Sequence, residues 1–461
     1  MKILLMHPPA RVQMAAYFRP IGLASVAQHL LDAGHYVEIL DLNAMRPEKH
    51  ELPTVLPRLD FDMVGLSGLI TTYKIWYDMM PLLRETYPKA AFVGGGGGIT
   101  SAPEEYMNNL GFDIGVIGEG EYTAVELAAA LENNTSLSDV AGLVYRDGEL
   151  KWTPPRPLER DLDKIYRQAY HLLPMEQYAR TIKHHAKARA ELGILSTRGC
   201  PFNCTYCYHI FAQVWRCRSP EKVVDEIELL QRNWGAESLI FADECITVNK
   251  RFMFALCDEI INRGVKVHWN CFSRVDTIDE EMLIAMKKAG CWVVGYGIET
   301  GSQKILDAMN KGVTVQQMRD TIALTREYMF AKATMMYGYP GEDAETLKET
   351  VAFCIEHDMM GDMYFTTPYP GTKIFDDFKD RILAKYGNLH NFFMVLDDAT
   401  KFSVNLTEMP DDEFFRRKYQ SVATTTIVTG TNLLEKSYGL ANKDMFERYR
   451  KQMAMGIAGW Q

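Results

Sequence analysis

Apolar runs of four to seven residues recur along the chain, separated by stretches in which apolar residues return every three or four positions. In the first third the runs are Lys2–Met6, Val37–Leu42, Met63–Leu69, Ala90–Val93 and Ile114–Ile117, and helical periodicity fills Ile21–Ala33, Tyr73–Tyr87 and Tyr122–Leu131. Strands joined by helices of this length pair in parallel through crossovers, which predicts a doubly wound, Rossmann-like α/β domain over residues 1–135. The rhythm resumes with runs at Ile194–Ser196, Ser238–Ala242, Val267–Phe272, Trp292–Ile298, Ala333–Tyr337 and Met363–Thr366. Six βα units in series predict a partial or complete α/β barrel over residues 191–400, with its active residues at the carboxyl ends of the strands. Residues 136–190 are polar, charged and proline-containing and read as a linker, in which His184-His185 is a solvated pair rather than a metal site. Past residue 401, Pro410 and Asp411-Asp412 suit the first turn of a helix, which predicts a small α-helical domain over residues 401–461.

Composition adds limits. A chain of 461 residues with 47% hydrophobic and 24% charged residues exceeds one core and has ample material for several. Sixty acidic against 50 basic residues give a net charge of −10, and no basic run interleaves with aromatics, which excludes a phosphate-tracking groove for nucleic acid. Only Ile3–Met6 is continuously apolar before His7-Pro8-Pro9, too short for a signal-peptide core, and nothing later approaches the ~20 apolar residues of a membrane helix. The expectation is a cytoplasmic protein. In that compartment nine cysteines point to metal or redox chemistry rather than disulfides. Six of them, Cys217, Cys245, Cys257, Cys271, Cys291 and Cys354, stand singly among apolar residues and read as small buried hydrophobes.

The other three carry the chemistry. Cys200, Cys204 and Cys207 stand in Cys-Pro-Phe-Asn-Cys-Thr-Tyr-Cys, directly after an apolar run. A [4Fe–4S] cube takes one thiolate per iron, so three thiols leave one iron open for a ligand that can react there. A zinc site with Cys217 or His209 as fourth ligand is the plain alternative, but zinc motifs come as two separated pairs and no second pair exists. Glycine-rich strand ends form the second candidate: Ser67-Gly68-Leu69 and Gly94 to Gly98 lack the Cβ atoms that hold a bulky ligand off the backbone. A flexible turn explains a glycine run equally well.

The cysteine stretch, with Tyr206 before its last thiol, resembles the C-x3-C-x2-C signature of the radical S-adenosylmethionine (radical SAM) superfamily. Ser67-x-Leu69, the Gly94-Gly95-Gly96 run and the Gly118-Glu119-Gly120-Glu121 turn resemble elements of cobalamin-binding domains, so the chain as a whole resembles the cobalamin-dependent, methyltransferase-like radical SAM enzymes. That resemblance implies a [4Fe–4S] cluster on Cys200, Cys204 and Cys207, the catalytic and metal-binding residues. S-adenosylmethionine (SAM) would bind the open iron and be cleaved to methionine and a 5′-deoxyadenosyl radical. The SAM contacts it implies are Tyr206, Glu244 or Asp243 for the ammonium, Arg274 for the carboxylate with Ser273 beside it, Glu299 in Gly297-Ile298-Glu299-Thr300-Gly301-Ser302, and Gly338 in the Tyr337–Glu342 turn. Pro368-Tyr369-Pro370-Gly371-Thr372 after the sixth strand has the family's wording too. Cobalamin would lie against Ser67, Leu69, Gly94, Gly95, Gly96 and Glu119, with Arg11 or Gln13 facing the cobalt. One family element is missing. No D-x-H-x-x-G follows the first strand, so His7 reads as structural beside its Pro–Pro turn.

The function so implied is C-methyl transfer from methylcobalamin to an unactivated carbon, with a small molecule or a peptidyl residue, such as a glutamine or arginine of methyl-coenzyme M reductase, as acceptor. A one-electron reductant such as ferredoxin or flavodoxin would be its partner, under anaerobic conditions. Two alternatives remain open: a non-methylating member that performs an oxidative cyclisation, and a non-catalytic corrinoid-binding sensor. A methylthiotransferase fits less well, because no cysteine precedes Cys200 to hold a second cluster.

Overall fold

The structure, a computed structural model, describes residues 1–9, 18–181, 184–185, 188–359 and 363–438. Its N-terminal sheet has seven strands, β1 (Lys2–His7), β2 (Tyr36–Asp41), β3 (Met63–Ser67), β4 (Ala91–Gly95), β5 (Ile114–Val116), β6 (Leu143–Asp147) and β7 (Glu149–Trp152), in the order β2-β1-β3-β4-β5-β6-β7. The first five are parallel. Both faces are covered by helices, which is why β1 buries four successive residues, Ile3 to Met6, rather than alternate ones. From β1 the chain first moves to β2 on one side and later to β3 on the other, so the strand ends of β1 and β3 part at a topological switch point, the place where doubly wound sheets bind ligands.

The expected linker is not a tether. Residues 143–152 form a hairpin that extends the sheet antiparallel to β5, turning on Gly148 at φ +72°. The Asp147-Gly148 pair between two apolar-alternating runs is a hairpin signal masked by the surrounding charge. Short helices then wedge between the two domains, where the Tyr178 hydroxyl donates to Asp41 at 2.7 Å. His184 and His185 turn to different neighbours. His184 Nδ1 lies 2.6 Å from Glu191, and His185 stacks on His268 at 3.9 Å.

The second sheet comprises β8 (Glu191–Ile194), β11 (Ser238–Phe241), β12 (His268–Ser273), β13 (Cys291–Glu299), β14 (Phe330–Tyr337) and β15 (Met363–Phe365), all parallel, in the order β15-β14-β13-β12-β11-β8; a small hairpin, β9 (Thr197–Arg198) with β10 (Arg216–Cys217), follows β8. Of the two barrel forms expected, this is the partial one: β15 and β8 are open edges. Strand β8 starts earlier than the run Ile194–Ser196 suggests, because Ser196 and Thr197 leave the ladder to donate their amides to Asp243.

The helices behind this sheet follow from their sequences. The helix Pro220–Trp234 has Ser219 as a side-chain cap, proline in its first turn and Gly235 in the left-handed conformation at its end, and it presses Val223, Val224, Ile227 and Leu230 onto the strands. Each such fully buried aliphatic side chain contributes about 1.5–3 kcal/mol. The described C-terminal residues form one helix, Asp411–Tyr438, rather than a separate domain: Phe414 packs in the barrel core against Tyr337 and Phe365. Residues 439–461 lie outside the described part. The stretch 373–396, counted with the barrel from sequence, packs into the core of the N-terminal domain, where Phe393 meets Tyr73 edge-on and His390 Nδ1 lies 2.9 Å from the Tyr73 hydroxyl.

Candidate functional site

At the carboxyl ends of β1, β3 and β4 a cavity of 430 Å³ opens at the switch point, walled mainly by apolar groups and bare backbone. Ser67, Leu69, Gly94, Gly95, Gly96 and Glu119 all line it. Gly96 has φ +84°, and a Cβ there would lie 2.9 Å from the Gly68 carbonyl and 3.0 Å from Ser67 Oγ, so both the backbone angle and the close approach of the two loops require glycine. Gly95 has open space where its Cβ would be. Anything larger there would take room from the cavity itself.

His7, read as structural, also lines this cavity at the end of β1, and burial lowers its pKa below the ordinary imidazole value. Arg11 and Gln13 lie outside the described residues. Glu119 is at the cavity wall, but its carboxylate is committed elsewhere: Arg216 Nη2 donates to it at 2.6 Å and Arg198 Nη1 lies at 3.3 Å. Glu121 pairs with Arg198 at 2.6 Å and accepts from Ser25 at 3.0 Å. The acidic turn therefore clasps the two domains, and what it offers a ligand is the backbone of Gly118 to Gly120.

The far wall of the cavity comes from the other domain. Ile210 and Phe211 line it, and they end the loop that starts at Cys200. Tyr208, next to Cys207, donates its hydroxyl to the Gly97 carbonyl at 3.0 Å, and its ring lies where a Cβ on Gly371 would be, 2.8 Å away. One face of this loop thus looks into the glycine-walled cavity. The other carries the three thiols at the open end of the barrel.

Around the thiols the structure gathers charge. Arg274 Nη1 lies 3.4 Å from Cys204 Sγ, and Arg274 also stacks over Phe202 at 3.7 Å. Cys204 and Cys207 share a hydrogen bond that holds the Cys204 thiol low and the Cys207 thiol high, with the Lys311 and Arg274 cations also lowering Cys204, whereas burial raises Cys200 to about 11. The thiolate is the form that ligates a metal, and neighbouring cations favour it. Glu299 ends β13 with φ +68°, a left-handed angle rare outside glycine, beside a register shift in the ladder with β14. Burial raises its carboxyl, and Lys311 Nζ at 3.6 Å partly offsets this while donating to the Tyr206 hydroxyl at 3.0 Å. Lys311 is missing from the sequence reading. A lysine only 5% exposed at a barrel mouth is the signal, and it is legible only once burial is known.

The remaining expected contacts divide. Asp243 Oδ1 accepts from the amides and hydroxyls of Ser196 and Thr197, while its Oδ2 is buried without a partner and burial raises the carboxyl to about 6. Glu244 is bonded less fully. Its Oε1 accepts from the Ile210 amide at 3.2 Å, its Oε2 is buried without a partner, and burial raises it to about 7. A buried carboxylate oxygen without a partner costs free energy that a cationic ligand would offset. Ser273, expected near SAM, is absorbed in a hydroxyl network with Thr247 at 2.5 Å and Thr277 at 3.3 Å. Arg274 keeps its place at the site but not its free fork, because Asp276 takes Nε and Nη2, each at 2.9 Å, and the Lys311 carbonyl accepts as well. Gly338 faces its own chain: its amide donates to Glu342 at 2.7 Å, and a Cβ there, at φ +85°, would meet Phe414 at 2.7 Å.

The donor set fits a three-thiolate cluster, and the bare-backbone cavity fits a large flat ligand. Comparison with known proteins agrees. The radical SAM superfamily matches residues 194–354 and the B12 binding domain matches residues 10–128. An uncharacterized methyltransferase of Pyrococcus horikoshii is 32% identical over 386 residues, covering 82% of this chain and 83% of that protein. An anaerobic magnesium-protoporphyrin IX monomethyl ester cyclase of Cereibacter sphaeroides is 31% identical over 85% of this chain and 66% of its own length. Among solved structures, the radical SAM methyltransferase TsrM of Kitasatospora setae, with cobalamin and a [4Fe–4S] cluster bound, has the same fold at a TM-score of 0.67, with 21% identity over 83% of this chain and 76% of that one.

Fold and site together define a radical enzyme with a corrinoid domain. The chain belongs to the cobalamin-dependent radical SAM family. Its cofactors are a [4Fe–4S] cluster, SAM and cobalamin.

Proposed function

We propose that this enzyme transfers a methyl group to a carbon that has no acidic proton. The observation that carries this reading is the loop Cys200–Phe211, which presents thiols on one side and walls the corrinoid cavity with Ile210 and Phe211 on the other. When bound, the cluster with SAM supplies a hydrogen-atom abstractor and the corrinoid a methyl group, the pair needed where polar methylation fails.

The chain's own residues place and insulate these groups. Cys200, Cys204 and Cys207 hold three irons. Arg274 donates toward the Cys204 sulfur and so stabilises its negative charge. Glu244 receives the ammonium of SAM on its unpartnered oxygen, and the buried Lys311 cation beside Glu299 faces the amino acid end. The half-buried rings of Tyr206 and Phe202 flank the thiols and narrow the access of water to the cluster face. Ser67, Leu69 and Gly94 to Gly96 hold cobalamin, with the backbone of Gly118 to Gly120 closing the cavity. A low-potential one-electron donor such as ferredoxin or flavodoxin supplies the reducing electron. A peptidyl carbon is one acceptor compatible with this chemistry, and a small molecule is another.

The test is an anaerobic incubation of the holoenzyme with reductant, SAM carrying a labelled methyl group, and a lysate as acceptor source. Label in a carbon-bound methyl, with 5′-deoxyadenosine and S-adenosylhomocysteine released together, is the expected result. The cyclase relative favours a second reading, oxidative chemistry without methyl transfer. Release of 5′-deoxyadenosine alone would select that reading and refute the first.

A further inference from the structure

The concave face of the open barrel is not filled by the chain. Its inward positions follow from the ladder. Phe272 pairs with Gly295 and Gly295 with Lys332, so these three share a level and a face; Met336 pairs with Tyr364 two levels higher. On this face Phe272 is 43% exposed, Tyr364 36% and Phe330, near the floor, 72%. Three aromatic rings open to solvent on the inside of a sheet are exposed apolar surface of the kind that marks a binding face.

The charges on the face are unequal. Glu299 at the rim faces Lys311 at 3.6 Å, and Glu191 on the floor is satisfied by His184 and by Ser238 at 2.7 Å. Lys332 stands midway, exposed, with no acidic partner among the described residues. Gly295 beside it has no side chain to fill the space, and its missing Cβ would lie 2.9 Å from the Phe272 ring. Among the described residues the lumen therefore presents one uncompensated cation next to exposed aromatic rings, below the rim that carries Glu299 and Tyr206.

We propose that the barrel lumen is the acceptor site and that it selects an anionic substrate with a flat apolar body, its carboxylate or phosphate on Lys332 and its body against Phe272 and Tyr364. This rests on the methyl-transfer reading for the identity of the occupant as acceptor. Binding the anion inside the lumen fixes one end of the substrate and aims the other at the rim. A neutral analogue of equal shape leaves the Lys332 ammonium without its counter-charge and binds less tightly.

The probes are 2-naphthoate and 2-naphthamide, equal in shape and different in charge, titrated by calorimetry into the cofactor-loaded enzyme. Wild type is expected to prefer the carboxylate by about tenfold, the scale of one charge-assisted hydrogen bond. Lys332→Met should abolish the preference, Lys332→Arg should keep most of it, and Phe272→Ala should weaken both probes alike. No preference in wild type, or a preference that survives Lys332→Met, overturns the proposal. SAM cleavage by the unmutated enzyme is read in the same preparation, and its absence would count against the chemistry proposed above rather than against the lumen.

Discussion

The Tyr208 hydroxyl donates to the Gly97 carbonyl at 3.0 Å, tying the residue next to a cluster thiol to the glycine loop of the corrinoid cavity. Two domains that must hold their cofactors at a fixed separation are joined by the Arg198 and Arg216 clasp and by the packing of residues 373–396, and Tyr208 adds a link directly between the two cofactor loops. Tyr208→Phe should leave folding and cobalamin content intact, since only a hydroxyl is lost. S-adenosylhomocysteine formed per 5′-deoxyadenosine should fall several-fold, in keeping with about 1 kcal/mol for one neutral hydrogen bond. Product ratios measured by chromatography check this, and an unchanged ratio would remove Tyr208 from the positioning of the cofactors.

Gly95 and Gly98 are neighbours with opposite surroundings. A Cβ at Gly95 meets nothing within 4 Å, whereas one at Gly98 would fall 2.2 Å from the Tyr106 hydroxyl and 2.9 Å from the Leu69 backbone. Gly95→Ala should fold normally and lose cobalamin affinity. Gly98→Ala should lower the melting temperature of the cofactor-free protein, the overpacking cost being about 1–3 kcal/mol. Spectrophotometric titration with hydroxocobalamin and thermal unfolding, run on both variants, separate the two effects.

The clasp between the domains makes a stability prediction. Arg198 is 2% exposed and pairs with both Glu121 and Glu119. Arg198→Met strips Glu121 of its cation and leaves a buried carboxylate, a loss of about 3–5 kcal/mol. Denaturant unfolding is expected to show it. The double variant Arg198→Met with Glu121→Gln should regain part of the loss, because the buried charge is then gone.

Much of this was legible in the sequence, and the exceptions have physical causes. Both α/β units, the three thiols and the glycine-walled strand ends follow from periodicity and spacing. The hairpin at 143–152 was hidden because its charges mimic a linker, although Asp147-Gly148 marks its turn. Ser273, Arg274 and Gly338 sit where the resemblance puts them, yet their polar groups are satisfied by Thr247, Asp276 and Glu342, partners that only the fold brings near. Lys311 was missed for the converse reason: nothing in a sequence says that a lysine is buried. Of the two acids just past β11, Asp243 and Glu244, only the hydrogen bonds each accepts tell one from the other.

Glu342 predicts a pH dependence. It is 3% exposed, and burial raises its carboxyl from 4.5 to about 8, offset in part by the Gly338 amide. A raised folded-state value means that the native protein holds this proton where the unfolded chain has released it. Stability from this group is full below about 4.5 and is lost as pH rises toward 8, at no more than about 1.4 kcal/mol per pH unit. Glu342→Gln cannot ionise, so the stability of wild type minus that of the variant should decline between pH 5 and 8. Thermal melts across that range check it, and a flat difference would show that Glu342 is solvated.

The arrangement of Cys200, Cys204 and Cys207 around one uncommitted iron is tested most directly by electron paramagnetic resonance of the anaerobically reconstituted, dithionite-reduced protein. A signal from a reduced [4Fe–4S] cluster whose g values move when SAM is added, and which disappears when the three cysteines are changed to alanine, is the expected result. A signal indifferent to SAM, or one that persists without the thiols, would contradict it.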